Sequence, residues 1–262
     1  MTLGVIIQYC NNGLLIAADK RSTQLSTGSF QDDCTKIHPA GKFSVVVSIG
    51  TTLSVTPVVG QDFVDFSASE LLSAAIKKEG ANGDIRPKLE RVGRSFKRSC
   101  TDFFESESGK NFPIGLPIFK SRVVHYNSLA KIYQMVTFVV DHYQQKADVK
   151  YSVSENQSDV TDYFGRPEVL LELQKGSNPA LDSWRDNQYV LKILRNELVA
   201  QHVTRDDAEK AALYFIWLTS KNLHLLLPND NTVSETCDIA IIEPKKGFQL
   251  LKTNARHNDV AV

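Results

Sequence analysis

The chain has 262 residues, of which 42% are hydrophobic and 23% are charged, and its 30 basic side chains balance its 30 acidic ones. This composition is typical of a globular protein, and no net field favours binding to nucleic acid or to an anionic membrane. No apolar run approaches the roughly 20 residues of a membrane span, and the first residues lack the basic segment of a secretory signal. We therefore expect a cytoplasmic protein with no nucleic-acid partner and no membrane partner.

The predicted elements begin with a pair of apolar strands. The first covers Leu3–Tyr9 and the second covers residues 14–18, with the turn signal Asn11-Asn12-Gly13 between them. The second strand is almost continuously apolar, which indicates burial on both faces. Polar residues 20–35 then predict a surface loop.

Strands and helices follow in groups along the rest of the chain. We predict strands over 43–49, 132–143, 149–153, 169–173, 238–242 and 248–251, and helices over 60–78, 88–105, 187–201 and 205–222, the last capped by Thr204. Grouping of this kind favours an α+β fold with helices outside two packed sheets. We predict a single domain over residues 1–252, followed by a polar tail over 253–262.

The cysteines and histidines lack the spacing of metal ligands. The four cysteines show no CxxC pair, so we expect reduced thiols, and the six histidines are scattered. We therefore predict no metal and no cofactor.

The start of the chain carries the most informative chemistry. Thr2 follows Met1 directly, and removing Met1 would leave a threonine with a hydroxyl and a free α-amine. The α-amine has a reference pKa of about 7.7–8.0, so a fair fraction can accept the hydroxyl proton near neutral pH. Such a residue can be its own nucleophile and base. We expect no propeptide ahead of Thr2, so that methionine removal alone exposes it.

Several short segments together resemble the proteasome β-type family of N-terminal nucleophile (Ntn) hydrolases, as found in bacteria and archaea. They are the Thr2 strand, Gly13-Leu-Leu-Ile-Ala-Ala-Asp19-Lys20-Arg21, Lys36-Ile37, Ser48-Ile49-Gly50 and the closing Cys237-Asp-Ile-Ala-Ile-Ile242. The resemblance covers a minor part of the chain, and residues 105–165 match poorly. It implies a four-layer αββα sandwich of the Ntn type.

The resemblance also implies a role for each matching residue. Thr2 Oγ would attack a carbonyl carbon, with the α-amine carrying the proton. Lys36 would lower the effective pKa of that hydroxyl, and Asp19 would hold Lys36 by a buried ion pair. The Gly50 N–H would form an oxyanion hole, and Arg21 would give structural support.

Three further residues complete the candidate site by resemblance. Ser177 lies where the family has a Gly-Ser-Gly turn whose serine orders the N-terminal amine, although Asn178 replaces the second glycine. Asp230 and Ser234 lie where the family has an Asp and a Ser that contact the amine, although their spacing is one residue longer. All three are also compatible with ordinary polar loops and turns.

The implied function is hydrolysis of peptide bonds by a threonine peptidase. Family members assemble into rings or stacked rings, so the resemblance implies a self-compartmentalised homo-oligomer acting on peptides or unfolded proteins. The sequence leaves open whether an ATPase partner serves it. Two alternatives are a catalytically silent, proteasome-like structural subunit and a proteasome-related peptide ligase or transpeptidase.

Overall fold

A computed structural model describes residues 3–23, 30–48, 54–55, 64–65, 67–80, 83–106, 109, 117–143, 146–156, 161–175, 188–227 and 232–259. The strands are β1 (Leu3–Tyr9), β2 (Gly13–Asp19), β3 (Ser22–Thr23), β4 (Phe30–Gln31), β5 (Ile37–Pro39), β6 (Ser44–Ser48), β7 (Ser54–Val55), β8 (Val64–Asp65), β9 (Pro117–Asn127), β10 (Ile132–Tyr143), β11 (Lys146–Asn156), β12 (Thr161–Gly165), β13 (Cys237–Glu243) and β14 (Gly247–Ala255). The helices are α1 (Ala68–Glu79), α2 (Leu89–Glu105), α3 (Glu168–Lys175), α4 (Gln188–Leu194) and α5 (Arg205–Leu226).

The chain divides into two compact units. The first consists of Met1–Lys36 with Gln157–Val262, and the second of Ile37–Asn156. The first unit contains an antiparallel sheet of strand order β12-β1-β2-β13-β14, and the second contains one of order β11-β10-β9-β6-β5.

The predicted N-terminal hairpin is confirmed. Leu3–Tyr9 forms β1 and pairs with β2 in antiparallel register. Between the strands, Asn11 and Asn12 have φ angles of 61° and 55°, a left-handed conformation that asparagine tolerates better than most residues. All seven residues of β2 are buried, as its continuous apolarity predicted.

The core of the first unit lies between its sheet and its helices. Apolar side chains of β1, β2 and β13 pack in one cluster with those of α3, α4 and α5, including the fully buried Phe215. Helix α5 begins at a complete capping box, in which Thr204 Oγ1 accepts a hydrogen bond from the Asp207 N–H, and Asp207 Oδ2 accepts one from the Thr204 N–H. This cap is the one predicted from the sequence.

The second unit packs α1 and α2 against its own sheet. Phe96 of α2 makes edge-to-face contacts with Phe119 of β9 and Phe138 of β10, within a cluster of buried side chains from both helices and the sheet. Each unit therefore contains helices packed on one five-stranded antiparallel sheet, and a two-stranded pair besides (β3-β4 in the first unit, β7-β8 in the second). The predicted α+β class of the αββα type is confirmed by this content.

Three predicted elements differ in the structure. Residues 169–173 were predicted as a strand but lie in α3, because a short apolar run fits either element and Pro167-Glu168 favours a helix start. The helix predicted over 60–78 begins at Ala68, after the Ser67 cap, and Val64–Asp65 pairs with Ser54–Val55. The helix predicted over 187–201 ends at Leu194 in the structure.

Two of the longer strands escaped prediction, as did the two-residue strands β3, β4, β7 and β8. Strand β9 lies within residues that carried no clear pattern, and β12 is a five-residue strand that pairs with β1. Gly4 of β1 makes room for this pairing, because a Cβ at that position would lie 2.0 Å from the ring of Phe164. The single domain predicted over 1–252, with its tail, stays a prediction. Within the described residues, no helix is long and apolar enough to cross a membrane.

Candidate active site

The carboxylate of Asp19 is the centre of the candidate site. Asp19 is the last residue of β2 and is fully buried. Its Oδ1 accepts hydrogen bonds from the Leu3 N–H (2.8 Å) and from Lys36 Nζ (3.2 Å), and its Oδ2 accepts from the N–H groups of Arg21 (2.9 Å) and Ser234 (3.2 Å). Four donors thus converge on one buried carboxylate, two on each of its oxygens.

Lys36 is the cationic partner of this carboxylate. Its side chain is 1% exposed, and its Nζ donates to Asp19 Oδ1 and to the carbonyl oxygen of Arg21. Burial lowers the pKa of Lys36 from its ordinary value, and the charge of Asp19 opposes that shift. An ammonium has three N–H donors, and the described residues accept only two of them. The third has no acceptor within the described part of the chain.

The Leu3 amide connects this pair to the start of the chain. Its nitrogen is the atom to which residue 2 is bonded covalently, and it lies 2.8 Å from Asp19 Oδ1. The same carboxylate oxygen lies 3.2 Å from Lys36 Nζ. One oxygen atom thus holds both the attachment point of residue 2 and the buried ammonium.

Ser234 approaches Asp19 through its backbone. Its N–H donates to Asp19, whereas its hydroxyl donates to the Thr236 carbonyl oxygen (3.0 Å) and accepts from the Thr236 N–H (2.9 Å). The Thr236 carbonyl also accepts from the Lys20 N–H at 3.1 Å. The serine hydroxyl therefore stabilises a tight turn that aims the Ser234 N–H at the carboxylate.

A second buried ion pair, between Lys20 and Asp238, was missed in the sequence analysis. Lys20 Nζ lies 3.3 Å from Asp238 Oδ1, and both side chains are nearly inaccessible, at 7% and 4% exposed. Asp238 Oδ1 also accepts from the Asn254 N–H. The sequence signal for this pair was Asp238 itself, an acidic residue inside the apolar segment Cys237-Asp-Ile-Ala-Ile-Ile242. A buried charge of this kind requires a partner.

Arg21 supports the site mainly through its backbone. Its N–H and its carbonyl oxygen bind Asp19 and Lys36. Its guanidinium forms a bidentate pair with Asp32, with both contacts at 2.6 Å. This pair fixes the chain that follows β2 and so orients the two backbone groups.

The structure brings together four of the predicted site residues, all within the first unit: Asp19, Arg21, Lys36 and Ser234. The other four lie outside the described residues and stay predictions: Thr2, Gly50, Ser177 and Asp230.

The comparisons with known proteins give a distant likeness only. No family model and no curated protein matches the chain. A solved structure of an Anbu mutant from Hyphomicrobium sp. strain MC1 is 12% identical, with a TM-score of 0.47, and the match covers 97% of this chain and 87% of that one. Anbu from Yersinia bercovieri, described as an ancestral beta-subunit, is also 12% identical, with a TM-score of 0.49 over 97% and 85% of the two chains.

These findings correct the family assignment. The chain was assigned from its sequence to the proteasome β-subunit-like Ntn family of bacterial or archaeal type, and that assignment is wrong. No family model matches, and the two Anbu structures named above are only 12% identical to this chain. The motifs behind the assignment are short segments around β1, β2 and β13, and residues this few cannot separate one family from its distant relatives.

Among the described residues, no cluster of three or more His, Cys, Asp or Glu side chains could hold a metal ion. The four cysteines, all of them described, are thiols. The expected absence of a cofactor stays a prediction.

Proposed function

We propose that this protein is a threonine-type peptidase whose nucleophile is Thr2, exposed by removal of Met1. The observation that supports this most strongly is the shared contact at Asp19. That carboxylate binds both the Leu3 amide and the buried Lys36 ammonium. A free threonine joined to that amide needs a nearby cation to favour its alkoxide, and Lys36 is held on the same carboxylate oxygen as the amide.

The proposed reaction has two stages. Thr2 Oγ attacks the carbonyl carbon of the scissile bond while the α-amine takes the hydroxyl proton. The tetrahedral intermediate collapses as that proton passes to the leaving amine, which leaves an ester on Thr2. Water then attacks the ester, its proton returns through the α-amine to Oγ, and the carboxylic acid product leaves. In this scheme the Gly50 N–H stabilises the oxyanion, and Ser177, Asp230 and Ser234 help to order the amine.

The proposal includes assembly into a homo-oligomer in the cytoplasm, as a ring or stacked rings. A nucleophile of this kind acts on any amide that reaches it, so enclosing the site restricts its substrates to peptides and unfolded proteins. Size-exclusion chromatography with light scattering tests this part. A monomer at micromolar concentration would contradict it.

Hydrolysis is tested with a panel of fluorogenic peptides and three variants. We expect turnover by the wild-type protein, residual turnover by Thr2→Ser and none by Thr2→Ala. Thr253→Ala, which removes an exposed threonine of the same unit, is the matched control and should keep full activity.

Two other outcomes would assign a different function to the same fold. Release of product only as a new amide, formed with an added amine acceptor, would identify a peptide ligase. Full activity in Thr2→Ala would contradict the proposal. The absence of any reaction in a protein shown to begin at Thr2 would also contradict it, and that absence would favour a silent structural subunit.

A further inference from the structure

A basic cleft lies in the second unit, apart from the residues discussed so far. It has a volume of about 520 Å³ and lies between α2 and the start of β11. Four cationic side chains line it, against two carboxylates: Arg94, Lys97, Arg98 and Lys146, against Asp102 and Asp148. Asp148 lies 3.8 Å from Lys97 and 3.4 Å from Lys150, and Arg94 lies 3.2 Å from Glu90 one turn earlier in α2, all as exposed pairs. Arg98 and Lys146 add two further positive charges. The cleft therefore favours an anionic ligand.

The cationic side chains of α2 form a row along β11. Arg94, Lys97 and Arg98, here called the basic stripe, are all exposed. Lys97 and Arg98 follow Arg94 by three and four residues, which places them next to it on one side of the helix. The opposite side of α2 packs into the core through Val92, Phe96 and Cys100. The stripe thus borders the sheet without contributing to its interior.

Strand β11 is a long edge strand with two exposed hydrophobic side chains. It runs for 11 residues, pairs with β10 in an unbroken register, and is the end member of its sheet. Tyr151 and Val153 are 43% and 39% exposed. Long edge strands usually carry a device that blocks pairing with another chain.

Helix α2 blocks only one end of this edge. The Ala147 N–H donates to the Thr101 hydroxyl at 3.2 Å, so it points away from β10 and towards α2. In an antiparallel pair the direction of the N–H groups alternates, so the N–H groups of Val149, Tyr151 and Val153 point the same way. No acceptor for these three lies within the part of the chain that the structure describes.

The positive charge of the basic stripe indicates which kind of chain can pair with the β11 edge. A second copy of the chain could pair its own β11 here about a two-fold axis, but that would set two basic stripes side by side. Like charges in that position oppose association. An extended peptide with acidic side chains at alternate positions meets both requirements, because its backbone can pair with residues 149–153 while its carboxylates face the stripe.

We propose that the β11 edge and the basic stripe form a docking site for an acidic peptide segment of a partner protein, bound as an added strand. The site is independent of the proposed peptidase chemistry. Arg94, Lys97, Arg98 and Lys146 recognise the carboxylates, and the backbone of Val149, Tyr151 and Val153 supplies the pairing.

The first test is fluorescence anisotropy with a fluorescein-labelled (Glu-Thr)₄ peptide at low salt. We expect saturable binding that (Lys-Thr)₄ does not show. Binding should weaken at least about tenfold in Arg94→Glu/Arg98→Glu and measurably in Lys146→Glu. Lys77→Glu/Lys78→Glu reverses two exposed charges on α1 and should bind as the wild type does. Equal weakening in this control would overturn the proposal.

The second test asks whether the peptide is an added strand. Two versions of (Glu-Thr)₄ carry N-methyl groups, one on every Glu nitrogen and the other on every Thr nitrogen. Only one set of N–H groups can face β11, so one version should lose binding and the other should keep it. Hydrogen exchange should slow at Val149, Tyr151 and Val153 in the complex.

Equal binding of both methylated peptides would mean adsorption to the stripe and would overturn strand addition. Binding of sodium tripolyphosphate with no binding of any peptide would identify a small-anion site and would overturn the proposal as well.

Discussion

At the scale of single residues, the candidate site depends on the hydrogen bonds that Asp19 accepts. Its two oxygens accept three backbone N–H groups and one ammonium proton. Such a group tolerates burial only while these partners remain. The same carboxylate therefore contributes to stability and sets the position of Lys36.

Replacing Lys36 by methionine should reduce both stability and activity. The change leaves Asp19 buried without its cation, which costs about 3–5 kcal/mol for a pair of this kind. Peptide turnover should fall at least about 10²-fold, since the group that assists proton transfer is gone. Urea unfolding and fluorogenic turnover measure the two effects. Lys245→Met, at an exposed lysine of the same unit, is the matched control, and an active Lys36→Met protein would contradict the assigned role.

His125 predicts a dependence of stability on pH in the second unit. It is fully buried, with Nδ1 2.8 Å from Ser44 Oγ and Nε2 2.5 Å from the Gly83 carbonyl oxygen. Burial lowers the pKa of His125 below its ordinary value, and Lys88 adds to the shift, whereas the hydrogen bond to Gly83 and the charge of Asp84 oppose it. The unfolded chain thus binds more protons than the folded one below about pH 6.5.

The free energy of unfolding should therefore fall as pH decreases from about 6.5 towards the folded pKa of His125, and it should be flat with respect to this group above pH ~6.5. Urea unfolding of the wild type and His125→Gln at several pH values measures the slope. His125→Gln should be less stable at neutral pH but should show a smaller slope. The assignment of the slope to His125 would be contradicted if His202→Gln, at an exposed histidine, reduced the slope equally.

At the scale of elements, local signals predicted several parts of the fold well. The Asn-Asn-Gly turn and the Thr204 cap each have a physical cause within a few residues, so β1, β2 and the start of α5 followed from the sequence. The segment 169–173 did not, because five apolar residues satisfy strand and helix periods equally. Its packing against α5 decides for the helix.

The candidate site also divides into features that local sequence predicted and features that depend on tertiary contacts. The sequence predicted Asp19, Lys36, Arg21 and Ser234, and the structure places them together. The Ser234 N–H on Asp19 and the pairing of Lys20 with Asp238 join residues more than 200 positions apart in the chain. Asp238 indicated that a partner was needed, but the local sequence did not identify Lys20 as that partner.

The capping box offers a prediction at this scale. Thr204→Ala removes the acceptor of the Asp207 N–H and should lower stability by about 1 kcal/mol. For a chain of this length, that corresponds to a decrease in Tm of about 2–4 °C. Thr204→Ser keeps the hydroxyl and should retain most of the stability. Thermal unfolding followed by circular dichroism compares the variants, and an unchanged Tm in Thr204→Ala would show that the cap contributes little.

At the scale of the whole molecule, the two units carry different proposals. The described contacts of the candidate active site all lie within the first unit, and the acidic-peptide site lies within the second. Loss of peptide docking in Arg94→Glu/Arg98→Glu should therefore leave the turnover of short substrates unchanged. A partner that binds the second unit could bring the protein to its substrates without taking part in the chemistry.

Intact mass spectrometry shows whether Thr2 is a free N-terminal nucleophile. The protein is measured before and after incubation with a β-lactone that acylates threonine hydroxyls. The account predicts a mass without Met1, with a single adduct that Thr2→Ala abolishes and Thr253→Ala retains. A mass that keeps Met1 and shows no adduct would contradict it, because a blocked Thr2 has no amine to serve as base.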